Sequence, residues 1–228
     1  MPLVVPFLLA LNTIVFLLWL LLGQSPFMVD NFLISWRALE EGRCWTLLTS
    51  EFSHIAFLHF FLNMYVLATF GSIVEMVVGS WRFILFYLVA AIVASVSHAA
   101  VSAFLLHKPD LPALGASGAI SGIVLVFCFL FPRARLLLFG IIPMPAIFGA
   151  ILFVGLDLLG LYAQTEGGGL PIGHGAHLGG AATGILYYLF FLRGLRLQDM
   201  GPRDYSDVAT WRTLIANYRR PNLDKDVP

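Results

Sequence analysis

Runs of apolar residues divide this chain more clearly than any other feature. Six of them, approximately Val4–Leu22, Ile55–Val78, Phe83–Leu106, Leu114–Phe131, Ile141–Ala163 and Gly173–Leu192, are separated by clusters of Gly, Pro and charged residues. Each is near the roughly 20 helical residues, at about 1.5 Å apiece, that cross a hydrocarbon core. A lone strand would leave its backbone groups unsatisfied in lipid, so each run predicts a helix. The expected fold class is therefore an all-α, polytopic bundle of six transmembrane helices. The first run lacks a basic n-region and exceeds the usual signal-peptide core of about 7–15 residues, so it is expected to remain as a span.

Composition agrees with this reading. Of 228 residues, 59% are hydrophobic and 11% charged, against roughly 25% charged in an ordinary soluble domain. The formal net charge is zero, so a lipid bilayer and no nucleic acid is the expected partner. The placement of basic residues predicts orientation. With both termini cytoplasmic, Arg82, Arg133, Arg135 and the seven basic residues from Arg193 onward lie inside and Arg37, Arg43 and Lys108 outside, ten against three, as the positive-inside rule requires. Cys44 and Cys128 then fall on opposite sides of the bilayer, where no disulfide can join them. The compact chain leans toward a prokaryotic inner or plasma membrane.

The predicted organisation is one transmembrane domain over residues 1–197 and a polar cytoplasmic tail over 198–228. The connection Gly23–Ser53 carries Phe27, Phe32, Leu33, Ile34, Trp36, Leu39 and Trp45 among its charges, which predicts a loop resting in the membrane interface. In the tail, Val208, Trp211, Leu214, Ile215 and Tyr218 recur at helical spacing with Arg212, Arg219 and Arg220 nearby. That pattern suits a helix lying on the inner surface or a small solvated one.

Topology then brings polar residues together. Helices two, four and six all run from outside to inside, so their first turns share one depth. His59 and Asn63 stand there on helix two, Ser117 on helix four and His177 on helix six. His59 and Asn63 are i, i+4 and point from one helix face. Gly118-x-x-x-Gly122, Gly175-x-x-x-Gly179 and Gly180-x-x-x-Gly184 have the spacing that lets helix backbones approach closely. A close approach is what a short serine side chain needs to reach an imidazole at about 2.6–3.2 Å. In that arrangement His177 is the expected general base, Ser117 the nucleophile, and His59, Asn63 and the Ser117 backbone N–H the oxyanion donors. Asp157 and Glu75 are expected to lie too deep to join, which predicts a two-residue machine without a carboxylate and leaves both acids as hydrogen-bonded structural groups.

Each residue taken singly has a plainer reading. Serine and glycine are common at helix contacts, and a lone histidine or asparagine in a span commonly serves as an interhelical clamp. His54, His59, His174 and His177 all lie toward the outer face, but His174 and His177 are i, i+3 with no Cys or carboxylate alongside and no HExxH string occurs, so no metal is expected. His98 and His107 lack partners for haem, and no cofactor is expected. A transporter would place its polar groups near the midplane, which these do not approach.

The same residues resemble the motifs of the rhomboid intramembrane serine proteases over about Trp45–Leu192. His59-Phe60-Phe61-Leu62-Asn63 is similar to the family's HxxxN element, Gly115-Ala116-Ser117-Gly118 to its GxSG, and Ala176-His177-Leu178-Gly179-Gly180, followed by Gly184, to its helix-six histidine motif. The resemblance implies a Ser117–His177 dyad with His59 and Asn63 at the oxyanion, no cofactor, and transmembrane segments of other membrane proteins as substrates. A catalytically inactive rhomboid-like protein that binds such clients is the alternative. Two positions depart from the family. Trp45-Thr46 stands where Trp-Arg is frequent, and Ser121 stands where the family often places an aromatic that stacks on the histidine, so His177 is expected either to be held less firmly or to be oriented by Ser121 or another group.

Overall fold

The computed structural model describes residues 2–138 and 141–194; the whole of the predicted tail, with its amphipathic patch, lies outside the described residues. The chain opens with α1 (Val4–Leu22) and then folds the first loop into three short helices, α2 (Pro26–Phe32), α3 (Trp36–Glu40) and α4 (Thr46–Thr49), and a 3-10 turn at Ser50–Phe52. Next come α5 (Phe57–Val78), α6 (Ser80–Leu105) and α7 (Ser117–Leu130), a hairpin of β1 (Arg135–Leu138) and β2 (Ile142–Pro145), and finally α8 (Ala146–Thr165) and α9 (His174–Leu192).

Among the described residues five helices, α1, α5, α6, α8 and α9, are long and apolar enough to cross a membrane. The remaining expected span, α7, has only 14 residues, and 11 of them are buried. A helix apolar on every side belongs in the middle of a bundle, and α7 is accordingly wrapped by α5, α6, α8 and α9. Its neighbours turn large apolar side chains such as Val89, Leu159 and Phe190 outward, as suits lipid contact.

The polar ends are tied down by side chains. The Glu75 carboxylate on α5 accepts from the N–H groups of Leu3, Val4 and Val5 at 2.7, 2.9 and 2.9 Å and from Ser80 Oγ at 2.5 Å, which satisfies donors that the first turn of a helix leaves without partners. This is the structural role expected of it. In the first loop, Thr46 is fully buried and its hydroxyl donates to the Arg43 carbonyl at 2.6 Å. Of the loop's two arginines, Arg43 pairs with Asp30 and Glu41, and Arg37 pairs with Glu40 and Asp110.

The hairpin is a departure from the expected helices. Arg135 pairs with Pro145 and Leu136 with Met144 in antiparallel register, where a connection running directly into a helix at Ile141 was predicted. Pro143 and Pro145 supply no N–H and fix φ, so both fit a two-stranded edge and neither fits a helix interior. The fifth span consequently starts at Ala146, immediately after Pro145.

The packing of α7 on α9 depends on missing side chains. A Cβ on Gly180 would strike the Gly118 carbonyl, one on Gly184 would strike the Gly122 carbonyl, and one on Gly122 would lie 2.7 Å from the Gly180 oxygen. The two helices thus touch backbone to backbone at positions one turn apart, and no flexible atom can yield. Gly180→Ala is expected to destabilise the protein by at least the roughly 1–3 kcal/mol of ordinary overpacking, read as a lowered midpoint of thermal unfolding in detergent. Gly155→Ala, on α8 with nothing within 4 Å of its Cβ position, should leave that midpoint nearly unchanged.

Candidate active site

Ser117 is the first residue of α7, and the segment before it is clamped by the first loop. The Gly115 N–H donates to the Ser50 carbonyl at 2.9 Å, and the Ala116 N–H donates to His54 Nε2 at 3.4 Å. Gly115 has φ of +118°, a conformation that side chains rarely adopt, and a Cβ there would lie 2.6 Å from His59 Cε1. Glycine therefore does two things at this position: it permits the turn into α7 and leaves space for the His59 ring. His54 is fully buried and packs edge-on against His59, with ring centroids 5.0 Å apart. Burial, reinforced by the neighbouring imidazole, pushes its pKa down to about 3, so it is a neutral acceptor for the Ala116 N–H.

The other half of the site comes from α8 and α9. His177 Nε2 lies 2.9 Å from Ser117 Oγ, and His177 Nδ1 lies 3.0 Å from Asp157 Oδ1. His174 Nδ1 reaches the same oxygen at 2.6 Å. An ionised carboxylate only accepts hydrogen bonds, so both imidazoles present Nδ1–H to Asp157. That tautomer leaves His177 Nε2 as an acceptor facing the Ser117 hydroxyl, which is the arrangement a general base requires.

Most of α8 faces outward, and its buried residues are Ala146, Ala150 and Asp157. Phe153, Asp157 and Gly160 recur at i, i+4 and i+7, so they form one stripe toward α9. Phe153 stacks on His177 with centroids 5.9 Å apart and planes 29° from parallel, supplying from α8 the aromatic contact absent at position 121. Ser121 does not orient His177; its hydroxyl donates to the Ser117 carbonyl at 2.7 Å. At Gly160 any Cβ would overlap the His174 ring.

The expectation that Asp157 lies too deep for His177 is therefore corrected. That expectation placed Asp157 in the inner-to-middle part of its span, but a span over Ile141–Ala163 running from inside to outside puts residue 157 toward its outer end. Gln164 Nε2 donates to the carbonyls of Leu170 and Ile172 at 2.9 and 2.8 Å, which brings Gln164 of α8 level with Ile172 before α9. From that level Asp157 lies seven residues down one helix and His177 five residues down the other, a difference of about 3 Å at 1.5 Å per residue.

All four residues singled out in the sequence line one cavity of about 1780 Å³, together with Glu51 and Phe153. Ser117 and His177 meet within it. Asn63 gives one amide N–H to the His59 carbonyl on its own helix at 2.9 Å; a primary amide carries a second. The Ser117 N–H belongs to the first turn of α7, whose backbone donors have no intrahelical partner. Asp157, Phe153, His54 and Glu51 were not identified as site residues from sequence. The usable signal for Asp157 was an ionisable residue in an otherwise apolar span; nothing comparable marks Phe153.

A family model described as Rhomboid domain matches residues 41–194. The chain belongs to the rhomboid family. It is 38% identical over 195 residues to the RHOMBOID-like protein 12, mitochondrial, of Arabidopsis thaliana, a match covering 80% of this chain and 56% of that one. It is 34% identical over 184 residues to the presenilin-associated rhomboid-like protein A, mitochondrial, of Danio rerio, covering 78% and 45%. It is 32% identical over 204 residues to the Rhomboid protein 1, mitochondrial, of Saccharomyces cerevisiae, covering 84% and 54%. This rhomboid thus spans about half the length of the curated relatives it matches. The names also correct the expected compartment. These relatives are mitochondrial proteins of a plant, an animal and a fungus, which points away from a prokaryotic plasma membrane. The length of a chain limits how many spans it can form and says nothing of which membrane holds them.

Glu51 braces the rhomboid site from the first loop. It is 3% exposed, accepts from Ser95 Oγ at 3.2 Å and from the Ala119 N–H of the α7 first turn, and burial pushes its pKa up to about 8. A raised native pKa means that the folded state binds the extra proton, so this contribution to stability is lost as pH rises from the ordinary carboxyl range through about 8. Thermal unfolding in detergent should give a midpoint that falls over that interval, and Glu51→Gln should flatten the fall.

Proposed function

We propose that this rhomboid is an intramembrane serine endopeptidase that cleaves transmembrane segments of other membrane proteins. The 2.9 Å contact between Ser117 Oγ and His177 Nε2 carries the reading. Ser117 Oγ attacks the scissile carbonyl carbon while His177 Nε2 takes its proton. The tetrahedral oxyanion is met by the Ser117 N–H, His59 and Asn63. The proton held on His177 then passes to the departing amine, leaving an acyl-enzyme ester on Ser117. Water admitted through the cavity, deprotonated in turn by His177, releases the second product. Asp157 acts through His177, fixing the Nδ1–H tautomer and offsetting the positive charge of the imidazolium as it forms.

The shape of the cavity supports a membrane-borne substrate. Its walls include Leu62, Val66 and Thr69 of α5 on one side and Gly149 and Phe153 of α8 on the other, so the space reaches sideways between two spans. A substrate helix must lose local hydrogen bonds to expose an amide there, and residues that weaken helices near the scissile bond favour this.

Cleavage of a transmembrane substrate reconstituted with wild type should be lost in Ser117→Ala and in His177→Ala. Labelling of Ser117 by a fluorophosphonate separates the enzyme from an inactive client-binding relative, since only an activated serine reacts. Asp157→Asn should lower kcat by about 100-fold or more with KM little changed, because general-base catalysis contributes about 10²–10⁴ and the substrate does not touch this residue. Substrates carrying Gly or Pro near the scissile bond should be cut faster than otherwise identical ones with leucine; equal rates would count against local unwinding.

A further inference from the structure

We propose that Asp157, His174 and His177 form a binding site for a transition-metal dication of the zinc type, and that filling it switches the serine site off. The regulatory half rests on the peptidase reading above; the binding half does not.

The ligand atoms are already gathered. One donor atom from each residue lies within 4.8 Å of the other two, and both Nδ1 atoms face Asp157 Oδ1 at 2.6 and 3.0 Å, on one turn of α9 and the facing turn of α8. Asp157 and His174 are buried, and His177 borders the cavity, so an ion can enter from the cavity side and keep a water as its fourth ligand. Two imidazoles and one carboxylate are the donor set that suits zinc, whereas magnesium and calcium take oxygen ligands. The absence of a carboxylate beside these histidines in sequence argued against a metal, and the fold supplies one from α8.

The fit requires adjustment in both directions. Ligands on a tetrahedral ion with bonds of about 2.0–2.1 Å stand about 3.3 Å apart, so the present N···O separations of 2.6 and 3.0 Å must open while the donor atoms, spread within 4.8 Å, draw together across the remaining pair. The ion takes the place of the two Nδ1 protons between these atoms, so the repulsion of bringing in a cation is offset by three donor atoms. A Cβ on Gly160 would overlap the Cε1–Nε2 edge of the His174 ring, so glycine at this position is what lets the ring stand with Nδ1 toward Asp157.

The consequence for chemistry follows from the tautomer. A metal on His177 Nδ1 moves the imidazole proton to Nε2, so the nitrogen facing Ser117 becomes a donor. It then has no lone pair for the serine proton, and the hydroxyl stays unreactive. The same three residues therefore support two exclusive states: proton-filled, with Nε2 a base, and metal-filled, with Nε2 blocked.

The test uses the full chain in detergent and Zn²⁺ as the probe, with Mg²⁺ and Ca²⁺ for comparison. Calorimetric titration of Ser117→Ala protein should show about one zinc per chain that neither other ion displaces, and Asp157→Asn and His174→Gln should each weaken it by about 100-fold or more, beyond the effect of losing an outer ligand partner. X-ray absorption at the zinc edge of wild type, which needs no variant to fold, should report two imidazoles with oxygen ligands. Zinc should also slow fluorophosphonate labelling of Ser117, with EDTA restoring it. Sulfur scattering from Cys44, affinity that follows His54 or His59 instead, or no zinc bound would overturn the proposal. Zinc bound as described with labelling unaffected would overturn the switch. Absence of labelling even in EDTA would overturn the peptidase reading and leave the binding result standing.

Discussion

Backbone contact between α7 and α9 is the constraint on which the rest of the molecule depends. Ser117 has one side-chain atom beyond Cβ, so its hydroxyl can meet an imidazole from another helix only if the two helix axes lie unusually close. Gly118, Gly122, Gly180 and Gly184 make that possible, with Cα and carbonyl atoms of one helix filling the space where the other would carry methyl groups. Within lipid there is no hydrophobic gain from bringing two apolar helices together, so tight van der Waals packing of this kind is what holds them. The same contact that stabilises the bundle fixes the distance between Ser117 and His177.

A buried polar group must find a partner, and most of the partners here come from elements that pack on the α7–α9 pair. The first loop caps the start of α7 through Ser50, His54 and Glu51. The outward-facing α8 turns in Phe153 and Asp157 against the histidines. Removing either set leaves the Ser117–His177 pair in place in principle but no longer held in one tautomer and one orientation. Asp157 carries a further consequence. By accepting from His174 as well as His177 it draws a second imidazole into the site, and a constellation of two nitrogens and a carboxylate is chemically able to hold either protons or a metal.

The polar residues that face each other across α7 and α9 were legible because helical periodicity and membrane thickness fix depth well. A residue near the outer end of one span is level with a residue near the outer end of another, and this alone brought His59, Asn63, Ser117 and His177 to one layer. The same argument reaches Asp157 once the direction of its span is respected, since a helix running from inside to outside over Ile141–Ala163 carries residue 157 near its outer end; placing it deep was the error. Periodicity failed for the start of α8 because Pro143 and Pro145 allow either a helix entry or an edge strand, and only pairing with Arg135–Leu138 selects the strand. Phe153 was invisible for a different reason: one phenylalanine among 20 in the chain has no mark that distinguishes a lipid-facing ring from one stacked on histidine.

By itself the sequence determined the membrane as solvent, the number of apolar segments, their helical form and the layer in which the serine and histidine lie, because hydropathy, backbone satisfaction and the rise per residue are local quantities. Only the tertiary structure decided which face of each helix turns inward, where α8 begins, how the first loop grips α7 and that Asp157 reaches both histidines. Those outcomes rest on loop hydrogen bonds and steric fits between segments far apart in the chain, and no local pattern contains the rotation of one helix relative to another.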